Sequence, residues 1–245
     1  MSRYHAVVAR SADDLDAVFR LRYRIYVQRM GLVADDHPYV THGRLIDPYD
    51  PRSTQLLLRC GDEPVGTLRL TTASSGPLEL EEYRDTAAYM GPRRNTGEIT
   101  RLMVLKHHRS MIATGRLFWR LWQTMRAAGV WRLLAAGKLG SLGHYYRNFG
   151  LTIVDEEPFA YDLVPGSQYQ VLLGDFGAPG TLRRAGWTAL WQSAYAALPL
   201  APVAMSRVFR RGLSEESRRR GRPEGQNGAG VLETASGRFT PLARP

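Results

Sequence analysis

The sequence predicts an α/β fold built on one mixed central sheet flanked by helices. Three observations carry that reading. Segments of strand and helix character follow one another in the order β-α-β-β-β-α-β-α-β-β. Two stretches repeat apolar residues at three- and four-residue steps, the helical period. Between two short apolar runs, Gly61-Asp62-Glu63-Pro64 has the composition of a hairpin turn. With 245 residues, 44% of them hydrophobic, the chain is long enough for one large domain or one domain with an appendage.

Taken in order, residues 4–10 read as a short strand in which Tyr4, Ala6 and Val8 alternate with their neighbours. Ser11 and Asp14 have the spacing of a helix-capping box. Leu15, Val18, Phe19, Arg22, Ile25, Tyr26 and Met30 then predict an amphipathic helix ending near Gly31. Residues 32–53, with Pro38, Pro48 and Pro51, read as a long loop, and loops of that length are commonly functional. Strands are expected over 55–60 and 65–71, an irregular stretch over 72–96, and an apolar strand over 98–105. Residues 111–129 place Leu117, Phe118, Leu121, Trp122 and Met125 at helical spacing, with Trp119, Trp122 and Met125 expected in the core. A buried strand over 130–136, a short helix over 141–149 stopped by Gly150, and strands over 151–154 and 169–173 complete the body.

The body is expected to span residues 1–178. Residues 179–212 form an apolar and basic segment, and 213–245 are rich in Arg, Gly, Ser and Glu, the composition of disorder. Of the formal charge of +10, the part from residue 181 onward carries +7, with eleven Arg, no Lys and four acidic residues. The body is therefore near neutral, which argues against specific nucleic-acid binding by it. Trp187, Leu190, Trp191 and Tyr195 fit one helical face flanked by Arg, as a segment lying on an anionic membrane would. The single cysteine, Cys60, excludes an intrachain disulfide, and the six His form no pair at metal-binding spacing. No run of eighteen apolar residues and no apolar leader after Met1 is present, so the expected location is the cytoplasm, with peripheral contact at the inner membrane face through residues 187–211.

Several charged residues interrupt apolar patterns. Arg22 falls in the apolar stripe of the first helix, where a guanidinium needs a carboxylate or an anionic ligand. Asp47 and Asp50 stand three apart in the long loop, placed either to form turns or to bind a cationic amine. Arg69 lies in the second hairpin strand on the face opposite Leu68 and Leu70, where alternation alone would leave it in solvent. Glu98 and Arg101 open an otherwise apolar strand. A desolvated carboxyl there has a raised pKa, suited to a general base. Strict alternation sends Glu98 and Arg101 to opposite faces, so a shared site requires an irregular start or a bulge.

As an ordered set, Leu21-Arg22-x-x-x-Tyr26, Asp47-x-x-Asp50, Gly66-x-x-Arg69 and Glu98-x-x-Arg101 resemble the acyl-homoserine-lactone (autoinducer) synthases and their relatives, the N-acyl amino acid synthases. Both have the GCN5-related N-acyltransferase fold, and the resemblance spans residues 15–175. It implies a catalytic Glu98, with Arg22, Asp47, Asp50, Arg69 and Arg101 as the acceptor-binding set. Autoinducer synthases usually carry Phe where Tyr26 stands and Gly-Trp where this chain has Gly31-Leu32, which points away from S-adenosylmethionine as the acceptor. The segment Tyr145-Tyr146-Arg147-Asn148-Phe149-Gly150-Leu151 resembles the closing motif of ordinary N-acyltransferases and implies Tyr146 as general acid to the leaving thiolate.

Coenzyme A-dependent members cradle the pyrophosphate with small residues at the start of the helix after the central strand. Here that stretch is Arg109-Ser110-Met111-Ile112-Ala113-Thr114, with Ile in a position where Gly is wanted. Lys106, His107, His108 and Arg109 make a basic cluster suited to a pantetheine phosphate on acyl carrier protein. The resemblance therefore implies transfer of a fatty acyl chain from acyl carrier protein to the amine of an amino acid, with the thioester as substrate and no resident cofactor. The competing expectations are homoserine-lactone synthesis from S-adenosylmethionine and a non-catalytic role in binding membrane or nucleic acid through the tail.

Overall fold

A computed structural model of the chain describes residues 3–139, 146, 149–164 and 166–177. The expected segment 179–212, the tail 213–245 and most of the short helix over 141–149 lie outside the described residues.

Strand β1 (Tyr4–Val8) leads into helix α1 (Ala12–Tyr23), which Ser11 caps by accepting a hydrogen bond from the Asp14 amide. Residues Arg24–Arg29 continue as a π-helical turn, a feature often found at functional sites. The wider turn changes the phase of the apolar stripe, so Met30 ends on the surface, 51% exposed, rather than in the core with Ile25. The loop after Gly31 is not bare. It holds a small hairpin, β2 (Val40–Thr41) with β3 (Arg44–Leu45), and a 3-10 turn over Asp50–Arg52.

Strands β4 (Ser53–Cys60), β5 (Glu63–Thr72) and β6 (Thr96–Val104) form an antiparallel meander. Helix α2 (Met111–Ala127) then crosses back to β7 (Arg132–Lys138), which lies parallel to β6. Strands β8 (Thr152–Phe159) and β9 (Tyr169–Asp175) complete a seven-stranded sheet in the order β1-β4-β5-β6-β7-β9-β8. β7 begins two residues later than the apolar run suggests, and β8 extends five residues past its expected end into Glu156 and Glu157. Its outer edge is at the border of the sheet, where polar residues are tolerated.

The middle of β4 is buried on both faces, as a central strand covered on each side must be. Leu56 and Leu58 pack with Leu117, Leu121 and Met125 of α2, whereas Leu57 packs with Val18 of α1. Trp119 and Trp122 do not join that core. They stack on each other at 5.3 Å with Trp119 38% exposed, because α2 buries only the stripe through Leu117, Leu121 and Met125.

Two irregularities in the sheet shape the site. The β6–β7 ladder runs only from Thr96–Arg132 to Ile99–Ala135, and beyond it the two strands are unpaired with each other. On the other side of β6, Thr100 pairs with Arg69 and Met103 with Thr67, so β6 carries one extra residue, a bulge, with Arg101 at φ +54°. Gly66 fits beside it because a Cβ there would meet the Met103 carbonyl at 2.9 Å.

Candidate active site

The register of the sheet sets the first row of the site. Gln55, Arg69 and Thr100 are cross-strand neighbours on one face, and Thr71 and Glu98 are neighbours in the next row. α1 lays Arg22 over this face, and the loop and 3-10 turn after β3 bring in Asp47 and Asp50. The bulge at Arg101 turns its side chain to the face already occupied by Glu98 and Thr100, so the two charged residues of β6 share one site as the sequence required. Arg69 is fully buried, and alternation points it into the α1 layer rather than into solvent.

Every guanidinium in the cluster is engaged. Arg22 donates to Asp50 at 2.7 Å and to Gln55 at 2.5 Å. Arg69 donates to Thr100 at 2.8 Å, pairs with Asp47 and Glu79, and lies 3.2 Å from Asp50. Arg101 donates to Asp47 at 2.6 and 3.0 Å and to Glu79 at 2.8 Å. Of the two readings of the loop aspartates, the structure shows the turn-forming one, and the cations they meet are arginines. Asp47 Oδ1 accepts the Tyr49 amide and Asp50 Oδ2 the Asp47 amide, so each forms a turn with one oxygen while pairing with arginine. Arg22, Asp47, Asp50 and Arg69 thus serve as a buried framework. Arg101 retains the most exposure of the three arginines, 7% of its side chain, and its Nη1 makes no hydrogen bond within the cluster.

Glu79 was not foreseen. It bridges Arg69 and Arg101 from a 3-10 turn over Glu79–Glu82, in a stretch whose sequence shows only an acidic run. The available signal was its place between Leu78 and Leu80, both fully buried, unlike Glu81 and Glu82. Gln55 and Thr100 were likewise missed, since neutral polar residues in a strand carry no distinct pattern.

Glu98 is the odd member. Its Oε2 accepts the backbone N–H groups of Glu79 at 2.8 Å and Leu80 at 3.4 Å, while Oε1 is buried without a partner. Burial first, and the neighbouring Glu79 carboxylate second, push its pKa up to about 8, against a smaller pull from Arg69. Burial also acts to raise Asp47, but Arg101, Arg69 and Arg22 outweigh it and hold that carboxyl well below the usual range. Charge balance agrees with this division. Three arginines face four carboxyl groups, so the cluster is neutral when Glu98 carries a proton. A buried carboxyl with one oxygen fixed, the other free and a pKa near neutrality is equipped to take up and release a proton.

The residues expected around the donor are more dispersed. Lys106, His107 and His108 form a 3-10 turn after β6, and Ser110 caps α2 by accepting the Ala113 amide at 3.2 Å. Ile112, 40% exposed, stands in the first turn of that helix. Lys106 is exposed. His108 is less available than expected, since its ring lies edge-on to Tyr4, with Nδ1 3.2 Å from the Tyr4 hydroxyl, and Nε2 is 3.8 Å from Glu63. Arg109 spends its Nε on the Val104 carbonyl at 3.0 Å. Tyr146 is buried in the main core against Phe118, with ring centroids 6.3 Å apart.

Comparison with known proteins agrees with this architecture. A family model described as N-acyl amino acid synthase FeeM matches residues 17–173. Among solved structures, the acyl-homoserine-lactone synthase LasI superposes with a TM-score of 0.57 at 16% identity, over 76% of this chain and 96% of LasI. MesI, a CoA-dependent acyl-homoserine-lactone synthase, gives 0.55 at 22% identity, over 76% of this chain and 94% of its own. FeeM itself, an N-acyl amino acid synthase from uncultured soil microbes, gives 0.53 at 15% identity, over 71% and 90%. No curated protein matches the sequence. At these identities the superpositions establish the fold, a GCN5-related N-acyltransferase-like mixed sheet.

Proposed function

The chain belongs to the N-acyl amino acid synthase FeeM family, and from that premise we propose that it moves a fatty acyl chain from acyl carrier protein to the amine of an amino acid. The observation that carries the reading is Glu98: a buried carboxyl beside the parting of β6 and β7, with one oxygen anchored by backbone amides and its pKa near 8.

The acceptor amine arrives as an ammonium, which has no lone pair for attack. Glu98, in its ionised form, takes one proton from it. The neutral nitrogen attacks the thioester carbonyl, the C–N bond forms, and the oxyanion is held by backbone N–H groups of β6 beyond Ile99, where no β7 ladder uses them. Collapse breaks the C–S bond and the pantetheine thiolate takes a proton from Tyr146, whose phenolate is reprotonated by the second proton leaving the nitrogen, while the first departs from Glu98 to solvent. Arg101, the guanidinium with a free edge, receives the acceptor carboxylate, while Arg22, Arg69, Asp47, Asp50 and Glu79 hold the site in shape. The acyl thioester is a substrate, and no resident cofactor enters the scheme.

Carrier protein is favoured over coenzyme A because Ile112 blocks the close backbone approach that a pyrophosphate needs, whereas exposed Lys106 suits a single phosphate and an acidic carrier surface. The test supplies purified enzyme with acyl carrier protein or coenzyme A thioesters of matched chain length and a panel of amino acids, with products identified by mass. N-acyl amino acids made from the carrier support the reading. Preference for acyl-coenzyme A refutes the donor assignment, and lactone formed only from S-adenosylmethionine places the chain with the autoinducer synthases.

A further inference from the structure

Glu98 Oε1 is not alone in lacking a partner. The Tyr161 hydroxyl is also buried without a hydrogen bond. Both belong to one region of the molecule. Leu80, whose amide holds the other oxygen of Glu98, and Leu134, the cross-strand partner of Glu98 on β7, pack in the same apolar cluster as Tyr161. The Tyr161 ring is fixed edge-on between Tyr83 at 4.8 Å and Tyr169 at 5.1 Å, so its hydroxyl cannot swing away to another partner. Each orphaned polar atom in a folded interior costs stability, and two in one region, one of them on the reactive carboxyl, ask for a ligand.

We propose that Glu98 Oε1 and the Tyr161 hydroxyl together form the binding site for the nitrogen of a primary amine. The assignment deepens the acyl-transfer reading and rests on it. An ammonium offers three N–H donors. One points at the Glu98 carboxylate and one at the Tyr161 oxygen. The proton then moves from nitrogen to Glu98 Oε1, leaving a neutral amine still held by Tyr161 and a neutral carboxylic acid. No electrons are gained or lost.

The charged and titratable groups around this pair are consistent with it. Glu98 faces Glu79 and Arg69, and Tyr161 faces Glu98, Glu79, Arg101 and Tyr169. Burial, then Glu98 and Glu79, raise the Tyr161 phenol well above its ordinary range, so it stays a neutral hydrogen-bonding group at any working pH. Tyr83, Phe159 and Tyr169 pack edge-to-face with the Tyr161 ring and fix its position.

The test uses the full-length protein and Tyr161→Phe, which deletes only the oxygen, alongside Glu98→Gln. The expected result for Tyr161→Phe is a melting temperature equal to or above wild type, because an unsatisfied hydroxyl is gone. With it comes a drop of about tenfold or more in kcat/KM for the amine, with KM for the acyl donor unchanged. The acid limb of the kcat/KM profile stays in place, since the two groups share no hydrogen bond before the amine binds. A structural role alone predicts the opposite pattern, in which activity and melting temperature fall together. A wild-type kcat/KM for the amine in Tyr161→Phe also overturns the site. A readout independent of turnover is the carboxyl band of Glu98, assigned in the infrared as wild type minus Glu98→Gln and titrated across pH 8. Saturating amino acid that lowers this midpoint in wild type, and lowers it less in Tyr161→Phe, supports the shared site, and an equal shift in both refutes it. Wild-type protein inert toward every amine defeats the acyl-transfer reading while the infrared result still decides the shared site.

Discussion

The two ends of the buried cluster hold their carboxyl groups in opposite ways. At one end Asp47 lies among Arg22, Arg69 and Arg101, which outweigh its burial and keep it ionised. At the other, Glu98 meets two backbone amides, an apolar cluster and a like-charged neighbour, and is pushed up to about 8. The same residue chemistry therefore gives a fixed counter-ion in one place and a proton carrier in the other. The difference separates framework from reaction: a group locked in two ion pairs cannot exchange protons near neutrality, and a group with a free oxygen can.

The sharpest way to break this contrast is at Glu98. Glu98→Gln is expected to lower kcat by about a hundredfold to ten-thousandfold, the range for loss of a general base. Its melting temperature should stay near or above wild type, as a neutral amide replaces a costly buried acid. Turnover close to wild type would move the base elsewhere. Arg69→Met tests the other end. It leaves Asp47 and Glu79 each short of a partner in a buried site, so unfolding free energy in urea should fall by about 3–5 kcal/mol. A loss under about 1 kcal/mol would show that the framework does not depend on its central arginine.

The pH dependence divides along the same line. Activity should rise with pH through the Glu98 midpoint near 8, so that kcat/KM at pH 6 is about a hundredfold below its plateau. A profile flat from pH 6 to 8 would contradict the assignment. Stability carries the two signs separately. Glu98 has a folded pKa above its unfolded value of about 4.3, so the native state binds the extra proton and stability declines as pH rises from about 5 to 8. Asp47 has a folded pKa below its unfolded value, so its contribution is present above about 4 and is lost as pH falls further. Denaturation of wild type and Glu98→Gln across pH 3–9 should show the alkaline-side decline only in wild type and the acid-side decline in both.

The smallest effect is expected at the exposed turn between β6 and α2. Lys106→Ala should raise KM for acyl carrier protein several-fold and reduce its salt dependence, leaving KM for the amine unchanged, as a rim charge does. Equal change in both would place Lys106 outside the carrier contact.

The order of elements and most of the charged set were legible from the chain alone. Alternation and helical spacing are local, and a charge inside an apolar pattern stands out because burying it unpaired is so costly. The same logic could not see Glu79, whose acidic neighbours Glu81 and Glu82 give the stretch a surface character, nor Tyr161, an aromatic among aromatics. It also misplaced Trp119 and Trp122, since spacing alone does not say how wide a stripe a helix buries. For His108 and Arg109, sequence proximity suggested one basic cluster, but a tertiary contact draws the His108 ring to Tyr4 and a local turn draws the Arg109 guanidinium to the Val104 carbonyl.

What the sequence by itself determined is which residues must be buried in partnership and that Glu98 and Arg101 can meet only through a break in strand alternation. Tertiary structure alone decided where that break falls, at Arg101 opposite Leu68. It also decided that β6 and β7 part after Ile99, and that arginines crowd Asp47 but not Glu98. The physical reason is range. Periodicity and burial cost are written within a few residues of the chain, whereas a carboxyl's pKa is set by groups that only the folded sheet brings within a few ångströms.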